Sequence, residues 1–313
     1  MGLANRTSPS AADYAQYPER FNNWGRWGEA DELGTLNHIT GDVRRNAAAL
    51  VQEGRAVSMA RPIQTQPGPA NPWPAHHLVG MPHARGAGDY LAMFLHSFVD
   101  THIDGLSHIA GPNGLAWNGK RLGENGMPIE HSGTVDFWRD GIVTRGVLYD
   151  VPRFRGTDFV ASGEPVHGWE LQDVADAQGV VPQSGDAVII RSGHDPYWAA
   201  TGRPPGFESV AGVHVSALEF LHDTEASVLV WDFQDAPSHD QGLPNPHGSE
   251  IPIALHVHAI ALPHMGLPLV DNANLEDIAV ACAELGRWAF QVVVAPLIIP
   301  GATGSPVNPL AIL

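Results

Sequence analysis

Three histidines and two aspartates fall within one short stretch of this 313-residue chain, His96-Ser-Phe-Val-Asp100-Thr-His102-Ile-Asp104-Gly-Leu-Ser-His108. If residues 96–104 are extended, alternation sends His96, Asp100, His102 and Asp104 to one face. Imidazole and carboxylate together suit zinc, manganese or a similar divalent cation, and a site of that kind left open lowers the pKa of bound water. His108 lies beyond Gly105, so it need not share the strand direction and is placed to act as a proton-transfer group. The ordinary alternative is a histidine-rich hydrogen-bond network, but four candidate ligands on one face favour a metal.

Composition narrows the alternatives. The chain carries 34 Asp plus Glu against 17 Lys plus Arg, a formal charge of −17, and also 17 His. Such a body repels phosphate backbones and anionic lipid headgroups, which argues against nucleic-acid and membrane partners and for a small, neutral or weakly charged molecule. Cys282 is the single cysteine, so a cysteine zinc framework and an internal disulfide are both excluded, and any metal rests on His, Asp or Glu. No Gly-x-Ser-x-Gly elbow supports a serine nucleophile, and no Gly-x-Gly-x-x-Gly turn supports a dinucleotide. The first ten residues lack an apolar signal segment, and Pro296 and Pro300 interrupt the last apolar run. A cytoplasmic protein is the expectation.

The elements that must position the cluster follow from periodicity and punctuation. With 34 Gly and 26 Pro, many turns are expected rather than long helices. Residues 1–37, rich in Trp, Asn and Gly, read as an extended arm. A helix is expected from Thr40, its cap, to about Gly54. Residues 56–82 read as a short strand and a long proline-rich loop, and Leu91–His96 as an apolar strand running into the cluster. Strands follow at Ile142–Asp150, Asp186–Arg191, Ser227–Trp231, Leu267–Val270 and, last, Ala289–Pro296. Helices are expected at Trp169–Gly179, Val215–Thr224 and Leu275–Leu285. Alternation in the second half predicts an α/β fold on a mixed sheet, with residues 1–313 as one domain carrying an N-terminal arm.

Thr101-His102-Ile103-Asp104, with His108 four positions on, resembles the HxGTHxDxPxH signature of the cyclase family. These are metal-dependent hydrolases that include bacterial kynurenine formamidase and isatin hydrolase. The resemblance implies a swivelling β/β/α fold, a centre of one or two zinc or manganese ions, His102 and Asp104 as ligands, and His108 as catalytic acid or base. Phe98 stands where the signature has its first histidine, Asp100 replaces its glycine and Leu106 its proline. His96 or Asp100 then supplies the missing ligand, with His96 preferred.

The segment His258–Gly266 followed by Asp271-Asn272 is similar to the family's second half, which implies His258 and Asp271 as further ligands. His256 competes with His258, because the two would share a face in a strand. His264 is expected to be a packing histidine, and Asp232 and Asp235 structural ends of a core strand. Residues 27–37 and 301–308 extend the similarity to both ends. Trp24 and Trp27 sit on a glycine-flanked arm that buries little by itself. They are expected either to cover a substrate pocket, in the same or a neighbouring subunit, or simply to pack.

Together these readings imply an enzyme that hydrolyses an amide, a lactam, an N-formyl amide or a lactone, and that assembles as a homodimer or homotetramer. The alternatives are a metal-dependent cyclase or dehydratase, and a member of the fold that binds metal or ligand without turnover.

Overall fold

A computed structural model describes residues 6–83, 85–124, 126, 128–202, 212–248 and 253–313, with only the backbone of 81–83. Among the described residues there are eleven strands: β1 (Ala56–Ser58), β2 (His76–His83), β3 (Gly86–Ala92), β4 (His102–Asp104), β5 (Ile142–Asp150), β6 (Ala187–Arg191), β7 (Val228–Trp231), β8 (Leu269–Asp271), β9 (Ala289–Val294), β10 (Gly304–Pro306) and β11 (Leu310–Ile312). Nine of them form one sheet in the order β1-β11-β9-β5-β6-β7-β8-β4-β10, and β2 pairs only with β3. The run from β5 to β8 is parallel and the flanking pairs are antiparallel, which makes this the expected mixed α/β sheet flanked by helices.

Burial explains the strand compositions. The central strand β7 and residues 187–190 of β6 are apolar and covered on both faces, as parallel strands under helices must be, and β6 ends in the ion-paired Arg191. β9 alternates, with Phe290, Val292 and Val294 turned into the core. The helix Gly168–Gln178 ends at Gly179 in the left-handed conformation (φ 68°), and the helix Glu276–Leu285 ends the same way at Gly286 (φ 61°). Thr40 caps the helix Gly41–Ala48 by accepting a hydrogen bond from the Val43 amide (3.3 Å). That helix stops well before Gly54.

Several expectations give way to local hydrogen bonding. Residues 11–20 are not extended; they form two single-turn helices whose Tyr14 and Tyr17, with Phe21 beyond, are buried against the body. The strand expected over 91–96 ends at Ala92 and belongs to the β2–β3 hairpin, which itself begins inside the expected long loop. Residues 96–104 are extended only over His102–Asp104. The Ser97 hydroxyl accepts from the Asp100 amide (2.8 Å) and donates to its carboxylate (3.1 Å), which folds 97–100 into a turn. Two further short strands, β10 and β11, follow the one expected to be last.

No helix among the described residues is long and apolar enough to cross a membrane. Much of the histidine excess is interior. His214 is fully buried and its imidazolium is pushed down to about 3 by burial; His264, 1% exposed, is pushed down to about 4 in the same way. Both are therefore neutral in the folded chain at pH 7. A depressed histidine pKa adds stability above the unfolded value near 6.5 that is lost as pH falls toward the folded value. Stability measured in urea across pH is expected to fall between about 6.5 and 4, and His264→Phe is expected to flatten that slope by about one proton. An unchanged slope would count against the buried neutral state.

Candidate metal centre

The cluster forms where β4 lies against the end of β8. In this antiparallel pair His102 faces Asp271 and Asp104 faces Leu269, so cross-strand register brings together two residues far apart in sequence. The carboxyl-terminal ends of β7 and β8 lie here, the usual place for a site on an α/β sheet. On the other edge of β4, Gly304 faces Asp104. A Cβ on Gly304 would lie 2.6 Å from His96 Cε1, so only glycine admits that imidazole.

Asp104 is wholly buried and sits at the middle. Its Oδ1 meets His96 Nδ1 at 2.8 Å and His102 Nε2 at 3.5 Å; its Oδ2 faces His258 Nε2 at 3.5 Å and His108 Nε2 at 3.9 Å. Asp271 Oδ2 lies 3.3 Å from His258 Nε2. Two triads result, His96–His102–Asp104 and Asp104–His258–Asp271, each with its donor atoms within 4.8 Å of one another. Burial opposes the charge of Asp104, but the imidazoles of His108, His258 and His96 outweigh it and hold the carboxyl well below its usual range. For His258 burial likewise opposes charge, and Asp235 and Asp271 prevail, raising its pKa well above the ordinary histidine value.

These observations test whether the residues fit a metal. Asp104 Oδ2 is buried with no hydrogen-bond partner among the described residues. Buried carboxylates demand positive charge, and the raised His258 shows protons filling that demand where a cation would otherwise do so. Ligands at the roughly 2.0–2.2 Å of zinc sit a little over 3 Å apart, so the spacings need only small adjustment. The donor set fits one or two divalent ions, with Asp104 shared between the triads.

Outer groups aim the imidazoles. His102 Nδ1 donates to the Asp100 carbonyl (2.9 Å), which leaves Nε2 toward Asp104. His258 Nδ1 donates to Asp235 Oδ2 (2.5 Å), and the Val257 amide holds the other Asp235 oxygen. Trp231 Nε1 (2.5 Å) and Gln234 Nε2 (2.9 Å) donate to the two oxygens of Asp271. His96 Nε2 meets Thr303 Oγ1 at 3.0 Å, and His96 stacks on His108 with ring centres 3.6 Å apart.

Of the residues singled out in the sequence, the structure gathers His96, His102, Asp104, His108, His258 and Asp271. Asp100 is not among them; its carboxylate serves the 97–100 turn and the Gln64 amide (2.8 Å). His256 turns away, its Nε2 on the Pro244 carbonyl (2.9 Å), because a helical turn begins at His258 and the face-sharing expected of a strand is lost. His264 is buried and stacked on Trp24, whose Nε1 donates to the Pro263 carbonyl (2.5 Å). Trp27 packs on His38 and Trp117, with the Arg26 guanidinium 5.0 Å from its ring centre.

Asp235, Trp231, Gln234 and Thr303 were not assigned to the site from sequence. The polar residues that close strand β7 were the available signal for the first three.

A buried histidine and aspartate set at the end of a mixed sheet defines a metal-dependent enzyme of the hydrolase and cyclase class. The family model "Putative cyclase" matches residues 36–241, and the chain belongs to that family. It is similar to the crystal structure of a novel cyclase, with 27% identity over 95% of this chain and 99% of that one and a TM-score of 0.78. It shares its fold with an isatin hydrolase bound to the product analogue thioisatinate (14% identity, 87% and 97% covered, TM-score 0.56). It shares it also with isatin hydrolase A from Labrenzia aggregata bound to benzyl benzoate (15%, 87% and 98%, 0.55). No curated protein matches the chain.

Asp235→Asn is expected to weaken divalent-metal binding about 10–100-fold, because a neutral amide holds His258 Nδ1–H less firmly than a carboxylate. Competition against a chromophoric chelator measures it, and unchanged affinity would sink the role given to Asp235.

Proposed function

We propose that residues 1–313 form one hydrolase domain that opens an amide bond (lactam or N-formyl amide) or a lactone of a small molecule, with His96, His102, Asp104, His258 and Asp271 as metal ligands and His108 as general acid/base. The observation that carries this reading is the pair of triads on Asp104 with His108 beside them. A bound zinc or manganese ion supplies Lewis acidity and lowers the pKa of water. His108 supplies the proton traffic. Burial, opposed by Asp104, pushes its imidazolium down to about 3, which leaves the ring neutral at pH 7. Its proposed role is to accept a proton from the attacking water and return it to the departing nitrogen or oxygen. Its side chain is 20% exposed, within reach of a ligand, whereas Asp104 is sealed off.

The names of the isatin hydrolases that share the fold support a cyclic amide as substrate. Trp24 and Trp27 remain the proposed substrate cover, supported by their place on the arm beside the 110–119 loop, where Trp24 lies 3.4 Å from a Cβ built on Gly119. Self-association as a homodimer or homotetramer is supported by the β2–β3 hairpin, which leaves Leu78 and Tyr90 about 60% exposed, as is Trp73 nearby. The acidic charge and the absence of a membrane-length helix among the described residues support a cytoplasmic setting.

His108→Ala is expected to lower turnover of N-formyl aromatic amines, isatin-like lactams or small lactones by about 10²–10⁴-fold while metal content stays unchanged by elemental analysis. Chelation should abolish turnover in the native chain, and restoration with zinc or manganese decides the ion. Persistent inactivity on all three substrate types with metal restored would refute the hydrolase reading.

A further inference from the structure

A second concavity lies apart from the metal cluster, between the loop after β1 and the helix His194–Thr201. It encloses about 420 Å³, and its walls include Arg61, Gln64, Asn71, Val99, His194 and Trp198. That volume is in the range of small-molecule sites, and no member of the two metal triads lines it. Trp198 offers a large apolar ring, 46% exposed, 6.0 Å from the His194 ring centre.

The polar groups here are held in a fixed pattern. The Arg61 side chain is 12% exposed; Nη1 donates to Asp195 Oδ1 (2.6 Å) and Nη2 to the Ala273 carbonyl (3.3 Å). Its Nε–H is buried and meets no acceptor among the described residues. His194 Nδ1 donates to the same Asp195 oxygen (2.7 Å), which fixes its tautomer and leaves Nε2 as a bare acceptor. Gln64 Nε2 is engaged by the Pro62 carbonyl (2.7 Å), and Asn71 Nδ2 by the carbonyls of Gln64 (3.3 Å) and Gln66 (2.9 Å). Gln64 Nε2 keeps a second N–H, and both carboxamides offer their oxygens as acceptors.

Charge decides the ligand class. Asp195 already neutralises Arg61, so an incoming carboxylate would meet a like charge and a guanidinium already engaged. An organic cation finds no unengaged carboxylate, because Arg61 and His194 both hold Asp195. A neutral molecule with one carbonyl for the second Gln64 Nε2–H, one N–H for His194 Nε2 or a carboxamide oxygen, and a flat face for Trp198 matches the groups that the lining presents.

We propose that this cavity is a second small-molecule site, separate from the metal centre, that takes a neutral planar amide or lactam. The ligand class follows from the lining alone and holds whatever reaction the metal centre performs. The site is tied to both metal-bearing strands: the Gln64 amide donates to Asp100, whose carbonyl orients His102, and Arg61 holds Ala273 two residues past Asp271.

Titration calorimetry of the full chain with oxindole, a neutral aromatic lactam, and with benzoate, a carboxylate of similar size, tests this. One equivalent of oxindole is expected to bind, to persist after chelator treatment and in His108→Ala, and to weaken about tenfold or more, or roughly 1.4 kcal/mol, in Trp198→Ala. Benzoate is expected to bind at least tenfold more weakly. Absence of saturable oxindole binding, unchanged oxindole affinity in Trp198→Ala, or benzoate binding as tightly as oxindole each overturns the proposal. Loss of hydrolysis in His108→Ala with oxindole binding intact separates this site from the reading of the metal centre.

Discussion

Asp104 is a carboxylate with no exposure to solvent, and burying a charge is costly unless positive partners surround it. Much of the surrounding structure can be understood as meeting that demand. His96 and His102 approach one oxygen, His108 and His258 the other, and the triads that result share only this residue. β4, short as it is, is held on both sides, by β8 and by β10, which fixes Asp104 at its end, where four imidazoles converge.

The orienting shell carries as much of the design as the ligands. An imidazole presents a lone pair usefully only when its other nitrogen is fixed, and here a carbonyl (Asp100) and a carboxylate (Asp235) do the fixing. The segment Trp231–Asp235 closes strand β7 and holds two members of the cluster at once, Asp271 through Trp231 and Gln234, and His258 through Asp235. This explains why polar residues terminate a strand that is otherwise apolar and buried.

Much of this was legible before any coordinates. The long strand Ile142–Asp150 and the helices before Gly179 and Gly286 could be read because hydrophobic runs and glycine caps are local signals. The extended reading of 96–104 failed at the Ser97–Asp100 turn, where a side-chain hydrogen bond competes with strand geometry. That turn also settles which of His96 and Asp100 joins the cluster, since it consumes the Asp100 carboxylate. His256 and His258 could not be ranked from spacing, because helix and strand send positions two apart in opposite senses.

The sequence by itself determined the chemistry available: imidazoles and carboxylates in place of cysteines, an acidic body, and a histidine and aspartate cluster at 96–108 with a matching pair at 258 and 271. Those properties belong to residue types and short spacings, which survive without a fold. The tertiary structure decided which atoms meet. Register across β4 and β8 pairs His102 with Asp271, and a helical turn aims His258 at the cluster while the equally buried His256 points to the Pro244 carbonyl. Asp235 enters the site from a loop more than twenty residues upstream of the histidine it holds. Contacts of that range depend on how separate strands pack against one another, and no local pattern encodes them.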